Sequence, residues 1–405
     1  MPKIRRPRLK NLARPFFHTS RRLLAKLWLQ SHSKTTVIGV TGSYGKTNTV
    51  AAIDSVLSEK FKTLTTDVNL DTNYNIPITI LKLTSQEKLI LEYGIDHLGE
   101  MDRHLFLANP QIAVVTGISP VHADKEHLGS LENIIREKSK LVHSVSKDGF
   151  AILNYDVVEV RRMADQCKGK VLFYGLDKDR CQVWANRISL GLGGLEFNLH
   201  YKDQMVKVKT GLVGSQFVYN CLAAAAVGIV SGMDLSLIAH GLGNLKPMEG
   251  RMSLESGPRG SVILNDSRRA SPASTIAGLQ TLEEYPAKRK IAVLGEMGEL
   301  GEWEEKGHRE VGKEVVEVKP DYLIAVGPLT KYIVKEAEPR LKKGTVIWVS
   351  DVFEAAGVLS SIIKTGDLIY LKGSLLKHLE RIPLIMEGKA VDHDEVASHR
   401  YEVYR

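Results

Sequence analysis

A glycine-rich turn near the start of the chain carries the residue types that bind phosphate groups. It has the sequence Thr-Gly-Ser-Tyr-Gly-Lys-Thr over residues 41–47 and follows an apolar, β-branched run at residues 35–40. A strand, a glycine-rich turn and a helix in that order direct backbone N–H groups and a helix N-terminus at phosphate oxygens. In such a turn the lysine reaches the β- and γ-phosphates, and the next hydroxyl holds a magnesium ion. The sequence therefore predicts a nucleotide site that uses Gly42, Ser43, Gly45, Lys46 and Thr47.

This turn is shorter than the standard pattern GxxxxGK[ST], which would require a glycine where Val40 stands. A chance turn between a strand and a helix is the alternative interpretation. The Lys-Thr pair directly follows the second glycine and begins a helical pattern over residues 48–61, which argues against chance. Nucleotide binding is thus the first function that the sequence indicates.

Two further residues of types that can bind metal ions follow apolar runs downstream. Glu92 ends the run 89–91, and His122 lies a few residues after the run 112–115. In a parallel α/β sheet, ligands bind at the carboxyl ends of the strands. Magnesium prefers oxygen ligands, so Glu92 is the natural ligand and His122 a less usual one. Taken singly, each has an ordinary alternative, a solvated glutamate or a structural histidine, and the nearby phosphate turn favours ligand binding.

The composition excludes several classes of protein. The chain has 405 residues, of which 43% are hydrophobic and 25% charged, so it is not disordered and suits two or three domains. No uncharged apolar run reaches the roughly 18 residues that a membrane-spanning helix needs. The three cysteines are scattered without a CxxC pair, which argues against a disulfide framework or a zinc site.

The basic residues are concentrated in residues 1–36, which we call the basic arm. This arm contains ten of the 55 Lys and Arg residues, and no acidic residue precedes Asp54. The remainder holds 45 basic and 47 acidic residues, a net charge of −2, although the whole chain carries +8. Because the body of the chain is nearly neutral, the composition argues against a nucleic-acid-binding protein.

Apolar residues of the basic arm recur near helical spacing from Leu9 to Trp28, with basic residues between them. Two interpretations stand. The arm is either an amphipathic segment that lies on an anionic membrane surface, or a helix that packs on the next domain with its charged face in water. Pro15 is expected to break or kink such a helix.

The coarse pattern of elements predicts an α/β protein in three parts. After the basic arm, residues 37–246 are expected to form a P-loop-type central ATPase domain with a mainly parallel sheet. Residues 247–405 alternate strand and helix, which predicts a Rossmann-like C-terminal α/β domain with an open parallel sheet. Five strands are predicted in this second domain, at residues 262–264, 291–294, 322–326, 346–349 and 368–371. Antiparallel strands are predicted within residues 181–213, with a hairpin turn at residues 191–194.

The motifs of the first domain resemble those of the Mur ligases, ATP-dependent amide-bond ligases of peptidoglycan precursor synthesis. The turn at residues 41–47 is followed by Glu-Tyr-Gly-Ile-Asp-His-Leu-Gly-Glu-Met at residues 92–101, similar to the family's run around its glutamate. His122 and the Gly-Ser pair at residues 129–130 continue the resemblance. It covers about residues 37–380, with six motifs in the family's order.

Motifs of the second domain resemble one branch of this family, the ligases that add D-alanyl-D-alanine. The run Leu-Gly-Glu-Met-Gly-Glu-Leu-Gly at residues 294–301, with His308 downstream, is similar to a run specific to that branch. Lys-Gly-Ser at residues 372–374 is similar to another of its motifs.

The resemblance assigns roles to individual residues. Lys46 and Arg251 are expected to neutralise the ATP phosphates, with Asn220 at the adenine and Asp266 near the ribose. Substrate contacts are expected from Asn69, His97, Lys372 and Ser374. The expected catalytic residues are Lys46, Glu92, His122, Lys138 and Arg251.

The resemblance also implies the reaction: ATP phosphorylates a substrate carboxylate to an acyl phosphate, which an amine then attacks. Such a transfer needs positioning and charge neutralisation rather than a protein nucleophile. Two magnesium ions are implied, one at Thr47 and Glu92 and one held by His122 and a carbamate on Lys138. A carbamate would make this lysine an oxygen ligand. The alternative is that Lys138 lies on a solvated face of a helix over residues 130–142.

The sequence departs from the family where the substrate is selected. The family's N-terminal UDP-binding domain has no counterpart, and the basic arm stands in its place. The substrate loop at residues 69–77 has Asp71 and Thr72 where the family usually has two asparagines, and Asn75 for a glycine. The family's Ser-Tyr-Asn-Ala run is Ser-Arg-Arg-Ala at residues 267–270. The ATP-binding motifs match while these positions have diverged.

Three hypotheses follow. The main one is a ligase that adds D-alanyl-D-alanine or a similar amine to a muramoyl-peptide carboxylate and forms ADP and phosphate. The second keeps this chemistry with a different, membrane-linked acceptor. The third is a nucleotide-binding membrane or partner module without ligase activity. We expect ATP and two Mg²⁺ ions as cofactors, small-molecule substrates and no nucleic acid as partners, and a cytoplasmic monomer, with peripheral membrane contact through residues 1–36.

Overall fold

The computed structural model describes residues 9–67, 71–374, 377–389 and 391, with side chains from residue 19 onward. Its described elements form two sheets, of nine and six strands, with helices packed against them. The α/β prediction is therefore confirmed. The domain boundaries proposed at residues 36/37 and 246/247 stay predictions.

The first sheet has the order β2-β3-β1-β4-β5-β6-β7-β8-β9. Its strands are β1 (Thr36–Thr41), β2 (Thr63–Thr65), β3 (Lys88–Glu92), β4 (Ile112–Val115), β5 (Phe150–Asn154), β6 (Lys170–Gly175), β7 (Val183–Gly191), β8 (Gly194–Tyr201) and β9 (Gln204–Thr210). The helices up to its end and just beyond are α1 (Leu9–Ser31), α2 (Lys46–Leu57), α3 (Thr72–Leu81), α4 (Glu100–Leu107), α5 (Leu131–His143), α6 (Val158–Arg161), α7 (Val218–Val230) and α8 (Leu235–Gly243).

Strands β1 to β7 pair in parallel, and β7, β8 and β9 form an antiparallel meander, as predicted for residues 181–213. Both faces of the parallel part are buried. Ile38 and Val40 of β1 join one apolar core with α2 and α7, whereas Val37 joins a second core with α3 and α5. Burial on both faces explains why the strands are continuous apolar runs in the sequence.

The second sheet has the order β10-β11-β15-β12-β13-β14. Its strands are β10 (Ser253–Ser256), β11 (Val262–Asn265), β12 (Arg289–Gly295), β13 (Tyr322–Val326), β14 (Val346–Val349) and β15 (Asp367–Lys372), and its helices are α9 (Pro272–Glu284), α10 (Glu304–Val318), α11 (Lys331–Ala337), α12 (Val352–Ile362) and α13 (Ile382–Met386). All five predicted strands are present and parallel. The sequence analysis missed β10, a polar edge strand that pairs antiparallel with β11.

Helix α1 packs one face on the first domain, as the packing interpretation predicted, and exposes Leu23, Leu24 and Leu27 on the other, so the membrane interpretation stays a prediction. Ala25 is fully buried against this domain, and the Trp28 indole N–H donates to the Leu83 carbonyl at 3.0 Å. The helix runs without interruption through Pro15, so the predicted break does not occur. Among the described residues, we find no helix with the length and apolar character to span a membrane.

Candidate active site

The carboxyl ends of β3, β1 and β4 lie side by side and open into a cleft of about 1330 Å³ between the two sheets. Residues of the first domain line one side and residues after β11 and β15 line the other. The cleft lining includes these predicted site residues: Ser43, Gly45, Lys46, Thr47, Glu92, His122, Asn220, Arg251, Asp266 and Lys372. The structure therefore brings together residues that are far apart in the sequence.

The phosphate turn is held by close backbone packing. A side chain on Gly42, where φ is 153°, would place its Cβ 2.0 Å from the Thr116 hydroxyl, so only glycine fits. Gly45 has φ 76° in the left-handed region and directly precedes α2. The Ser43 N–H donates to the Gly117 carbonyl at 2.7 Å, which ties the turn to the segment after β4. The protein's own packing and hydrogen bonds thus fix the turn at the N-terminus of α2, where backbone N–H groups can bind phosphate.

Thr47 and Glu92 meet at the base of the cleft. The Thr47 hydroxyl donates to Glu92 Oε2 at 2.9 Å, and the Glu92 backbone N–H donates to Thr66 Oγ1 at 3.0 Å. A hydroxyl and a carboxylate side by side, next to a phosphate turn, are the oxygen ligands that magnesium prefers. The two residues therefore fit a magnesium ion as a donor set.

Two lysines donate to the same carbonyl. Lys46 Nζ lies 2.8 Å and Lys138 Nζ 3.0 Å from the Gly42 oxygen. Burial lowers the pKa of Lys46 to about 8, although the Glu92 carboxylate opposes part of this shift. Burial and the neighbouring Lys46 ammonium lower the pKa of Lys138 well below its usual value. Burial and the repulsion between two ammonium groups at one carbonyl both favour the neutral amine form of Lys138. The alternative of a solvated Lys138 is wrong, since this side chain is buried.

Asn220 braces the phosphate turn from helix α7. Its Nδ2 donates to the Gly45 carbonyl at 3.0 Å and to Thr49 Oγ1 at 2.7 Å. The expected adenine contact stays a prediction, and the two amide hydrogens are already used within the protein.

The second domain contributes a cation, Arg251, and a carboxylate, Asp266, to the opposite side of the cleft. Arg251 is partly buried, and its buried Nε has no hydrogen-bond partner among the described residues. Asp266 accepts from Lys372 Nζ at 2.5 Å, and burial raises the pKa of this carboxyl while Lys372 opposes the shift. An orphaned buried guanidinium N–H lining a cleft is what an anionic ligand would satisfy.

His122 lies where cations surround it. Its backbone is in the left-handed region at φ 68°, and its side chain is 16% exposed. Burial and the nearby Arg269, Lys46 and Lys138 side chains lower the pKa of His122 to about 2. The imidazole is therefore neutral, the form in which histidine ligates metal ions.

Of the expected substrate contacts that the structure describes, His97 and Ser374 are not brought to the cleft. Asn69 lies outside the described residues. His97 is 57% exposed, pairs with Asp96 at 2.6 Å and does not line the cleft, and neither does Ser374. Only Lys372 reaches it. These roles stay predictions.

The segment predicted as a substrate loop at residues 69–77 is largely helical, because Asp71 caps α3. The Asp71 carboxylate accepts from the Asn73 N–H at 2.7 Å, and the helix then continues through Pro77. The sequence analysis also missed a bridge here: Asn73 donates to Glu100 Oε1 at 2.8 Å, and Arg22 of α1 donates to Asn73 Oδ1 at 3.3 Å. The Asx cap was a readable signal, whereas the bridge to α1 had none.

Comparisons with known proteins agree with this geometry. The family models for the Mur ligase middle domain and for the Mur ligase, glutamate ligase domain match residues 40–228 and 250–375. The UDP-N-acetylmuramoyl-tripeptide--D-alanyl-D-alanine ligase of Bacillus subtilis is 31% identical over 366 residues, 90% of this chain and 78% of that protein. The ligase of the same name from Escherichia coli is 30% identical over 74% of this chain and 66% of its own length.

Two solved structures of Mur ligases share the fold of this chain. MurF from Acinetobacter baumannii has a TM-score of 0.83 at 24% identity, over 92% of this chain and 81% of its own. MurF ligase from Thermotoga maritima in complex with ADP has a TM-score of 0.79 at 25% identity, over 92% and 84%. The chain therefore belongs to the Mur ligase family.

Proposed function

We propose that the chain is an ATP-dependent ligase that adds D-alanyl-D-alanine to the carboxylate of a UDP-muramoyl-tripeptide. The observation that carries this proposal is the meeting of Lys46, Thr47–Glu92 and the buried Lys138 around one phosphate turn. The Bacillus subtilis and Escherichia coli relatives, whose names state this reaction, support the choice of substrates.

In the proposed reaction the tripeptide carboxylate attacks the γ-phosphorus of ATP, and the bond to the β-phosphate oxygen breaks. The amine of D-alanyl-D-alanine then attacks the acyl carbon, loses a proton, and phosphate leaves. Lys46 and Arg251 face the cleft from opposite domains and would neutralise the charge on the transferred phosphoryl group. Because the two cations come from different domains, closure of the cleft would complete the site.

Magnesium would be held by Thr47 and Glu92 in one position, and a second divalent ion by His122 with modified Lys138 in the other. When bound, the ions neutralise phosphate charge and orient the reacting oxygens. The neutral His122 imidazole and the Thr47–Glu92 oxygen pair support these positions.

Carbamylation of Lys138 is part of the proposal. A neutral amine attacks carbon dioxide through its lone pair, an N–C bond forms and a proton is released. The lowered pKa of Lys138 supports this reaction, since an ammonium group has no lone pair. The product is an anion, which would replace the repulsion between Lys46 and Lys138 by attraction.

The test is phosphate release from ATP and magnesium with UDP-muramoyl-tripeptide and D-alanyl-D-alanine added singly and together. We expect release only when both are present. Release that needs an amino acid but not this tripeptide would support a ligase for another acceptor. ATP binding without release under any combination would support the nucleotide-binding module.

We further propose that the basic arm holds this ligase at the cytoplasmic face of an anionic membrane, where a membrane-linked acceptor would be within reach. Helix α1 turns Leu23, Leu24, Leu27 and Trp28 outward, each 43–59% exposed. The ammonium group of Lys26, on the same helix, lies 3.4 Å from the centre of the Phe106 ring, and this ring is also exposed. An outward apolar stripe next to the cationic residues 1–14 has the chemistry of an interfacial helix.

Sedimentation with vesicles of anionic lipid tests this contact. We expect Leu23→Gln/Leu24→Gln/Leu27→Gln to lose most vesicle binding. Leu192→Gln is the matched control, because Leu192 is 77% exposed in a hairpin turn of the first sheet. Equal partitioning of both variants and the unmodified chain would contradict the membrane proposal while leaving the ligase proposal standing.

A further inference from the structure

A cluster of metal-ligating side chains lies beside the phosphate turn and includes two residues that the sequence analysis did not assign. Asp96, His122 and His127 each offer one ligand atom, and these atoms lie within 4.8 Å of one another. All three side chains are partly buried. The two imidazole rings are 5.2 Å apart in an edge-to-face arrangement. Two imidazoles and one carboxylate form a donor set that differs in kind from the oxygen pair of Thr47 and Glu92.

The loop that carries the two histidines is built to hold them facing each other. The Leu128 N–H donates to the His122 carbonyl at 2.9 Å, and the Gly129 N–H donates to the Asp124 carbonyl at 2.9 Å. These bonds close the loop on itself. His122 remains in the left-handed region at φ 68°, a conformation that costs a non-glycine residue energy and that clusters at functional sites.

Each histidine also has a carboxylate on its Nδ1 side. His127 Nδ1 lies 2.8 and 2.9 Å from the two Asp124 oxygens, so a hydrogen bond fixes this nitrogen. His122 Nδ1 lies 3.5 Å from Glu299 of the second domain. A carboxylate on one ring nitrogen orients the ring and leaves Nε2 to a metal ion, which is the usual second layer of a histidine metal site.

The cluster also sits next to the proposed reaction centre. The charges of Lys46 and Lys138 both act on His122, and the charge of Asp96 acts on Lys138. Asp96 and His122 also line the same cleft as Lys46, which shares the Gly42 carbonyl with Lys138. The Ala123 N–H donates to the Glu299 carbonyl at 3.2 Å, so the loop also contacts the second domain.

We propose that Asp96, His122 and His127 form a site for a divalent transition-metal ion of the zinc, cobalt or manganese class, which this chain binds in preference to magnesium at its second ion position. The position next to Lys138 rests on the proposed function, whereas metal binding itself does not. Imidazole nitrogens favour such ions, because magnesium prefers all-oxygen coordination.

Titration of the metal-free full-length chain with Co²⁺, followed by visible absorption in the absence of nucleotide, tests the site. We expect a d–d band that saturates at one Co²⁺ per chain, is displaced by Zn²⁺, and persists in a large excess of Mg²⁺. Displacement by equimolar Mg²⁺, or no saturable band, would overturn the proposal. Because no substrate is present, loss of ligase activity and loss of this site are measured separately.

Single substitutions identify the ligands. We expect His127→Gln and Asp96→Asn each to weaken Co²⁺ binding at least about tenfold, and Asp124→Asn to weaken it less, as expected for an orienting partner. His143→Gln, on the exposed end of α5, is the matched control and should bind as the unmodified chain does. His97→Gln tests the neighbouring group of Asp96, His97 and Glu100. If His97→Gln abolishes the band while His127→Gln retains it, the assignment is wrong; thermal unfolding of each variant shows that it is folded.

Discussion

The two sides of the cleft differ in how firmly their side chains are held. On the nucleotide side, the turn from Gly42 to Thr47 is constrained by its glycines and tied to Asn220, Thr116 and Glu92 by hydrogen bonds of 2.5 to 3.0 Å. A change at any of these positions disturbs several others. This side is also where the sequence matches the motifs of the Mur ligases.

We call the residues around Asn73 and the run at residues 267–270 the acceptor side, and several arginine contacts there are longer and more exposed. Arg22 reaches Asn73 at 3.3 Å, Arg268 lies 3.6 Å from the exposed Glu249, and Arg269 is exposed at φ 117°. Side chains held this way are replaced at small cost in folding free energy. Under the proposed function, the residues assigned to the chemistry therefore lie in the more tightly held half, and those assigned to substrate choice lie in the half that tolerates change.

Removal of the phosphate-turn lysine should have the largest effect. Lys46→Met removes the buried cation beside the Gly42 carbonyl, and we expect kcat to fall about 10³-fold, as when one preorganised transition-state donor is lost. Single-turnover phosphate release measures the effect. Lys178→Met, at an exposed turn, is the matched control. A loss of less than tenfold would mean that the nucleotide side is not the catalytic half.

Removal of the second lysine should be nearly as damaging. We expect Lys138→Ala to lower kcat about 10²-fold, with partial rescue by added short-chain carboxylates, since these supply the missing oxygen ligand. The unmodified chain, depleted of bicarbonate, should regain activity when carbon dioxide is restored. At fixed carbon dioxide this recovery should be faster at pH 8 than at pH 6, because the neutral amine fraction rises with pH. Full activity without bicarbonate would argue against the carbamate.

The nucleotide side was predictable because its signals are local. A β-branched run, two glycines and Lys-Thr lie within one short segment, and strand ends follow from apolar runs that are buried on both faces. Glu92 was placed by the end of its apolar run, and Lys138 by the family resemblance, counted from residues 129–130; hydrogen bonds to Thr47 and to the Gly42 carbonyl show both beside the turn. The sequence therefore carried the fold and the phosphate half of the site.

The rest was not predictable because it depends on side chains that meet across distant segments. Asn220 donates a hydrogen bond to the Gly45 carbonyl, and Arg22 donates one to Asn73. Neither pair can be inferred from the spacing of residues in the sequence. Helix α3 was missed because the Asp71 cap outweighs Pro77. Strand β10 was missed because an edge strand of polar residues lacks the apolar run that marks a buried one.

Restoring the family's residues in the Ser-Arg-Arg-Ala run tests the acceptor side. We expect Arg268→Tyr/Arg269→Asn to lower kcat/KM for the acceptor about tenfold, the kinetic equivalent of about 1.4 kcal/mol for one charged hydrogen bond, while KM for ATP changes less than about twofold. Arg340→Asn, in a surface ion pair with Glu336, is the control. If KM for ATP rises as much as KM for the acceptor, these arginines belong to the nucleotide half instead.

The smallest effects should appear in the free energy of unfolding. They show directly how firmly side chains are held on the two sides of the cleft. Asn220→Ala removes two hydrogen bonds, to the Gly45 carbonyl and to the buried Thr49 hydroxyl, so we expect a loss of about 2 kcal/mol in the free energy of unfolding. Arg22→Ala removes a long, partly exposed contact, so we expect a loss of about 0.5 kcal/mol. Urea unfolding of the ligand-free chain, with unchanged m-values, measures both. Asn109→Ala serves as the control for Asn220→Ala, because its amide also donates to a backbone carbonyl, that of Ser144, but at an exposed site. Losses of equal size for Asn220→Ala and Arg22→Ala would mean that both sides of the cleft are held equally, and the divergence of the acceptor side would then need a cause other than its tolerance to change.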